Sequence, residues 1–188
     1  MRFLAPSWED IYTKSIKLAE NIVKSGEKFD SIIGISKGGL VPSRILSDLL
    51  EIPDVLITKC EYYVDVAKKS KKPIITQKIP GTIRDKDVLI ADDVADTGDS
   101  LIEVVKYLKS KAPKSLKVAT IYLKPWSKVI PDFYAAKTDA WIIFPWELNE
   151  SMRSLSSLNG GRIVRKTHMP SKYMKAISKI NRQKAKTT

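Results

Sequence analysis

The segment Val88–Leu101 reads VLIADDVADTGDSL, and the predicted fold and site both start from it. Val88–Ala91 is a short continuous apolar run, which is typical of a buried parallel strand. Asp92 and Asp93 follow, and a turn of small residues leads into Leu101–Leu108, where apolar residues recur at helical spacing. The segment therefore predicts a strand, two carboxylates at its carboxyl end, a loop and a helix N-terminus.

The predicted loop combines two kinds of binding chemistry. Unpaired backbone N–H groups at a helix N-terminus carry the positive end of the helix dipole and bind phosphate, and Thr97 and Ser100 add hydroxyl donors. The carboxylates of Asp92 and Asp93 repel phosphate but suit sugar hydroxyls or a magnesium ion. The segment has neither the lysine of a P-loop nor a G-x-G-x-x-G motif. It predicts a phosphate site beside a ribose site, whereas the alternative is an acidic turn without function.

A second strand–loop–helix unit lies earlier in the chain. Ile32–Ile35 predicts a buried strand, and a helix is expected from about Val41 to Leu50, after the loop residues Ser36, Lys37, Gly38 and Gly39. The two glycines permit positive φ and close backbone approach, and Lys37 adds positive charge. A Gly-Gly pair alone is often only a tight turn. Together, the two loops predict two anion sites at the carboxyl end of one parallel sheet, where open α/β sheets bind ligands.

The remaining segments extend the α/β pattern. An amphipathic helix is predicted over 7–25, with Ser7 and Asp10 as a capping box. Further strands are predicted at Val55–Cys60, Lys117–Leu123 and Ala140–Glu147, and a turn or short extended piece at Pro131–Tyr134. The pattern predicts a mostly parallel sheet with helices on both faces. Residues 61–84 predict a hairpin or a long loop, since they contain a basic run at 68–72 and a predicted strand at 74–79. This segment is either a solvated surface loop or a lid over the site.

Composition limits the classes of function. The 188 residues suit one domain with an appendage, and the single Cys60 excludes an internal disulfide and a cysteine-based metal site. The single His168 argues against a histidine-ligated metal or a Ser-His triad. No apolar run approaches the ~20 residues that span a membrane, and the N-terminus does not resemble a signal peptide. We therefore expect a cytoplasmic protein.

The positive charge lies in the C-terminal tail. The net charge is +12, and no acidic residue follows Glu150, whereas ten cations do: Arg153, Arg162, Arg165, Lys166, Lys172, Lys175, Lys179, Arg182, Lys184 and Lys186. We predict a domain over 1–149 and a basic extension over 150–188, with a linker at Ser154–Gly161 and a short helix carrying Tyr173, Met174, Ile177 and Ile180 on one face. Packing of that face on the body is favoured over nucleic-acid binding, because few aromatic residues are available to stack on bases.

Residues 7–147 resemble the type I phosphoribosyltransferases. Val88–Leu101 resembles their phosphoribosyl-pyrophosphate (PRPP) signature, and Ile32–Pro42 resembles their pyrophosphate loop. Trp141–Glu147 resembles the base-binding segment of xanthine-guanine phosphoribosyltransferases, and Lys124 stands where those enzymes carry a purine-contacting lysine. The resemblance implies an α/β fold with a mostly parallel twisted sheet flanked by helices and a small hood that binds the base.

The resemblance also implies a role for each matched residue. Asp92 and Asp93 would bind the ribose hydroxyls and Mg²⁺, and Asp96 would be the acid/base at purine N7. Lys124 would bond the 6-oxo group, Trp141 would stack on the base and Ile142 would contact it through its backbone. A cis peptide is expected between Ser36 and Lys37. PRPP would contact Ser36, Lys37, Gly38, Gly39, Asp92, Asp93, Val94, Ala95, Asp96, Thr97, Gly98, Asp99 and Ser100.

Two departures from the family pattern affect the phosphate site. Lys37 stands where many relatives have Arg, which keeps the charge but loses the guanidinium fork. Lys68, Lys69 and Lys71 compete for the role of the loop cation that contacts pyrophosphate. We expect Asp96 to be partly buried beside the acidic pair.

The predicted function is transfer of the phosphoribosyl group from PRPP to N9 of a 6-oxopurine, by a homodimer or homotetramer. Adenine is disfavoured because Lys124 is a donor, and a pyrimidine would underuse Trp141. The alternatives from other classes are a regulatory PRPP sensor that binds nucleic acid through its basic tail, and a nucleotide-binding scaffold. A pure sensor would not need Asp96, a lid, Lys124 and Trp141.

Overall fold

The computed structural model describes residues 2–65, 70–157, 175–178 and 180–181. The chain divides into two compact units, one of Ile11–Asp139 and one of Met1–Asp10 with Ala140–Thr188. The division into 1–149 and 150–188 stays a prediction. The helices and strands are, in chain order, β1 (Phe3–Leu4), α1 (Trp8–Lys24), β2 (Ser31–Ser36), α2 (Leu40–Leu49), β3 (Asp54–Asp65), β4 (Ser70–Gln77), β5 (Asp87–Ala95), α3 (Asp99–Lys109), β6 (Ser115–Leu123), β7 (Phe133–Lys137), β8 (Trp141–Ile142) and α4 (Leu148–Ser157).

The larger unit contains a six-stranded sheet in the order β4-β3-β2-β5-β6-β7. Every neighbouring pair is parallel except β3 and β4, which form an antiparallel hairpin. The mostly parallel sheet and the hairpin are thus confirmed. Because side chains alternate along a strand, β2 and β5 contribute residues to both faces of the sheet.

Each face of the sheet has its own apolar core. On one face, Leu18 and Ile22 of α1 cluster with Ile32, Leu46 and Leu89. On the other face, Leu101, Val104 and Leu108 of α3 pack on side chains of β2, β5 and β6. These strand residues are Ile33, Val88, Ile90 and Val118. Helices therefore cover both faces, as predicted.

The start of α1 follows the predicted capping box. The Ser7 backbone N–H donates to Asp10 Oδ2 at 2.9 Å, and the Asp10 backbone N–H donates to Ser7 Oγ at 3.1 Å. These bonds satisfy donors that a helix N-terminus would otherwise leave unpaired.

Several predicted boundaries are wrong. β5 continues to Ala95 instead of ending at Ala91, because β6 supplies partners beyond the apolar run, with Asp92 opposite Thr120. The acidic pair therefore lies inside the strand. Residues 133–137 form β7, and β3 runs to residue 65.

The predicted strand Ala140–Glu147 is reduced to β8. Among the described residues, this two-residue strand pairs with the two residues of β1 alone, and Pro145 three residues later has no backbone N–H to extend the pairing. Residues 154–157 belong to α4 rather than to a linker. Residues 175–178 and 180–181 are helical, which fits the short helix predicted there, whereas Tyr173, Met174 and residues 158–161 lie outside the described residues.

Candidate active site

The turn between β5 and α3 opens a helix N-terminus at the carboxyl end of the sheet. Gly98 caps α3 with φ +84°, a left-handed conformation that favours glycine. A Cβ there would also lie 2.9 Å from the Val129 nitrogen. Gly98 has no side chain that could accept a hydrogen bond from the first turn of α3. The Asp99 backbone N–H donates to Thr97 Oγ1 at 3.3 Å. The N-terminus of α3 therefore offers backbone N–H donors to an anion.

A cavity of about 460 Å³ lies at this helix end. The structure brings six of the site residues predicted from the sequence to its wall, together with Tyr62, whose hydroxyl lies 3.3 Å from Thr97 Oγ1. The full lining is Tyr62, Asp92, Val94, Asp96, Thr97, Gly98, Ser100 and Leu101. The cavity thus combines carboxylates, hydroxyls and helix-terminal amides.

The acidic pair differs from Asp96 in its surroundings. Asp93 is buried, and its backbone N–H donates to Asp92 Oδ1 at 3.0 Å. Burial, reinforced by the Asp93 carboxylate, raises the pKa of Asp92 well above its usual range. The expectation that Asp96 is partly buried is wrong, because its side chain is exposed beyond the end of β5.

The loop after β2 contains the expected cis peptide between Ser36 and Lys37. Neither Gly38 nor Gly39 has the positive φ that the sequence allowed for. Close approach explains both glycines instead: a Cβ on Gly38 would lie 2.6 Å from Asp93 Oδ1, and one on Gly39 would lie 2.5 Å from the Ile35 nitrogen. The two predicted anion loops therefore meet where Gly38 packs on the Asp93 carboxylate.

Residues 124–128, of which the sequence analysis assigned a role only to Lys124, are hydrogen-bonded to the β5–α3 turn. The backbone N–H of Lys124 donates to the Ala95 carbonyl at 3.0 Å, and that of Lys128 donates to the Thr97 carbonyl at 3.0 Å. The Lys128 ammonium also donates to Asp99 Oδ1 at 2.7 Å. The sequence feature that could have pointed to this segment is that Trp126, Ser127 and Lys128 directly follow Lys124-Pro125.

Trp126 in this segment connects two predicted site residues. Its indole Nε1–H donates to Asp96 Oδ1 at 2.9 Å. Its ring centroid lies 5.4 Å from the Lys124 ammonium. Lys124 is buried, and burial lowers the pKa of its ammonium, although nearby Asp96 and Asp139 oppose the shift. The structure thus brings Lys124 beside Asp96.

The other predicted base-binding residues belong to the smaller unit. Trp141 and Ile142 form β8, and the Trp141 side chain is half-exposed. In the same unit the rings of Phe144 and Trp146 stack at 4.7 Å. Lys68 and Lys69 lie outside the described residues, as does the side chain of Lys71.

The donor set at the acidic pair fits magnesium. Mg²⁺ retains several waters and is usually held by one or two carboxylates together with substrate phosphates. In the described part of the chain, no group of three or more His, Cys, Asp or Glu residues could hold a metal ion by itself. Two adjacent carboxylates beside an anion site therefore suit an ion that arrives with a phosphorylated substrate.

Comparison with known proteins identifies the family. Residues 7–151 match the phosphoribosyl transferase domain, and the chain belongs to that family. A xanthine-guanine phosphoribosyltransferase of Idiomarina loihiensis is 31% identical over 145 residues, which are 76% of this chain and 86% of that protein. A second, from Desulfotalea psychrophila, is 33% identical over 143 residues, or 75% of this chain and 84% of its own.

Solved structures support the same fold. A purine phosphoribosyltransferase from Pyrococcus horikoshii has a TM-score of 0.71 and 37% identity, and the match covers 78% of this chain and 94% of that one. A hypothetical protein from Neisseria gonorrhoeae, solved with bound ppGpp, has a TM-score of 0.71 and 28% identity over 78% of this chain and 90% of its own. The chain therefore has the type I phosphoribosyltransferase fold. Within the described residues, no helix is long and apolar enough to cross a membrane.

Proposed function

We propose that the chain transfers the 5-phosphoribosyl group of PRPP to N9 of a 6-oxopurine, namely hypoxanthine, guanine or xanthine. The products are the nucleoside 5′-monophosphate and pyrophosphate, as purine salvage requires. The observation that carries the proposal is a cavity in which the N-terminus of α3 lies beside the carboxylates of Asp92 and Asp96. The names of the curated relatives support a purine as acceptor.

The 5′-phosphate would bind at the N-terminus of α3. The amides and hydroxyls of Thr97–Ser100 would surround it, and the dipole of the eleven-residue helix favours its negative charge. The Lys128 ammonium lies at the same turn, where it donates to Asp99 Oδ1 at 2.7 Å and offsets the negative charge of that carboxylate next to the proposed phosphate site. Phosphate binding here would place the ribose toward the carboxyl end of β5.

Asp92 and Asp93 would accept hydrogen bonds from the ribose hydroxyls and hold Mg²⁺, directly or through water. When bound, the magnesium ion would neutralise charge that develops on the leaving pyrophosphate. The backbone amides of Ser36–Gly39 would bind the same pyrophosphate. Because Gly38 packs on Asp93, the loop that would bind the leaving pyrophosphate directly contacts the carboxylate that would bind the ribose.

Transfer breaks the bond between ribose C1 and the pyrophosphate oxygen, whose electron pair leaves with pyrophosphate. It forms the bond from C1 to purine N9. Asp96 would take the proton that the purine loses at N7, as a general base. Lys124 would donate a hydrogen bond to the 6-oxo group, and its buried stem holds the ammonium near Asp96. The roles of Trp141 and Ile142, the homo-oligomeric state and the cytoplasmic location stay predictions.

The test replaces the proposed base with its isostere. Asp96→Asn keeps the shape of the side chain but cannot take a proton, so we expect kcat to fall by about 100-fold or more, while the Kd for PRPP stays near that of the wild type. Nucleotide formation from hypoxanthine or guanine is followed by chromatography, and PRPP binding by calorimetry with magnesium. Asp48→Asn, at an exposed carboxylate that pairs with Arg44 on α2, is the control and keeps full activity. Near-normal turnover by Asp96→Asn would contradict the assigned role.

A further inference from the structure

We propose that Trp126 is a positioning residue that orients the Asp96 carboxylate for proton transfer, an inference that rests on the proposed function. The indole Nε1–H donates to Asp96 Oδ1 at 2.9 Å. An indole nitrogen can only donate, and a hydrogen bond to a carboxylate is stronger than one between neutral groups. Because the bond engages Oδ1, the second oxygen keeps its capacity to accept the purine proton.

Asp96 needs such a partner because of its place in the fold. It lies just past the end of β5, on an exposed turn, so strand pairing and core packing do not set its rotamer. An aspartate side chain without a partner distributes over several rotamers. Proton transfer requires a base within hydrogen-bond reach of the proton that it takes. A fixed donor on one oxygen therefore increases the fraction of molecules in which the Asp96 carboxylate is oriented to accept the proton.

The donor is fixed because its own segment is tied to the turn on both sides of Asp96. The backbone N–H of Lys124 donates to the Ala95 carbonyl at 3.0 Å, and that of Lys128 donates to the Thr97 carbonyl at 3.0 Å. Between them, the backbone N–H of Ser127 donates to the Lys124 carbonyl at 3.1 Å and closes a turn. Trp126 lies in that turn, so the backbone that carries its indole is bonded to the backbone on both sides of Asp96.

The face of the same ring lies next to the second group assigned to the purine. The Lys124 ammonium is 5.4 Å from the ring centroid, within the range of a cation–π interaction. The edge of Trp126 thus contacts the proposed base, and its face contacts the proposed 6-oxo donor. Packing alone does not account for this residue, because its side chain is 54% exposed.

The test separates the N–H group from the ring. Trp126→Phe keeps an aromatic face for Lys124 but removes the donor, so we expect kcat to fall about tenfold while the KM for PRPP stays within twofold. In an Asp96→Ala background the same change should alter kcat by less than twofold, because the bond is already absent. Tyr12→Phe is the control, since it removes a donor from an aromatic side chain on α1 that is also about half-exposed (48%), and it should leave kcat unchanged.

The outcomes distinguish this inference from the proposed function. An active wild type with an unchanged kcat in Trp126→Phe overturns the positioning role alone. An equal loss from Trp126→Phe in both backgrounds, with a lower melting temperature, also overturns it, because it shows a merely structural role. If the wild type forms no nucleotide from any purine, the proposed function fails and the positioning role fails with it.

Discussion

Gly38→Ala perturbs the contact between the two anion loops without removing any functional group. The added Cβ would lie 2.6 Å from Asp93 Oδ1 and 2.5 Å from Asp93 Cγ, far inside an ordinary contact of ~3.5 Å. Asp93 is buried, so its short side chain has little room to rotate away. Overpacking of this kind costs about 1–3 kcal/mol. If that cost is met by moving the carboxylate or the loop, kcat/KM for PRPP falls by about 5- to 150-fold.

The assay is the initial rate against PRPP at saturating purine and magnesium, with thermal unfolding measured in parallel. Gly26→Ala is the matched control. Gly26 lies after α1 with φ +77° and open space around its would-be Cβ, so alanine there costs about 1–2 kcal/mol of stability through backbone strain. The control should melt earlier and keep its kcat/KM, whereas Gly38→Ala should lose kcat/KM. Wild-type kcat/KM in a folded Gly38→Ala variant would refute the contact argument.

Two further predictions concern stability. Gly98→Ala forces a left-handed φ of +84° on alanine and places a Cβ 2.9 Å from the Val129 nitrogen, so the free energy of unfolding should fall by about 1–2 kcal/mol or more; an unchanged urea midpoint would exclude this. Hydrogen bonds from Lys86 and Ser31 hold the pKa of Asp54 below its usual value. The ionised carboxylate therefore stabilises the fold at pH values above the unfolded pKa of ~3.9, and this stabilisation is lost as the pH falls through the folded pKa. Asp54→Asn should therefore be less stable at pH 7, by about 0.5–1 kcal/mol, and the gap should close on acidification; a pH-independent gap would contradict the assignment.

The sequence predicted the parts of the site that depend on local pattern. An apolar run followed by small and acidic residues indicated the β5–α3 unit, and the Ile32–Gly39 pattern indicated the second loop. Both loops are found at the carboxyl ends of the neighbouring parallel strands β2 and β5, as expected. Local chemistry was also sufficient for the Ser7–Asp10 capping box.

Tertiary contacts account for what the sequence did not predict. Asp92 and Asp93 belong to β5 because β6 continues beside them, and hydropathy does not report a partner strand. The need for glycine at position 38 comes from the Asp93 carboxylate, far away in the chain. Trp126 lies thirty residues from Asp96, so their hydrogen bond has no local signature.

The most direct test of the account is pyrophosphate release from PRPP and magnesium with hypoxanthine, guanine, xanthine, adenine and uracil measured in parallel. The account predicts turnover with at least one 6-oxopurine, and little or none with adenine or uracil. Absence of turnover with all five bases, alongside tight PRPP binding, would contradict it.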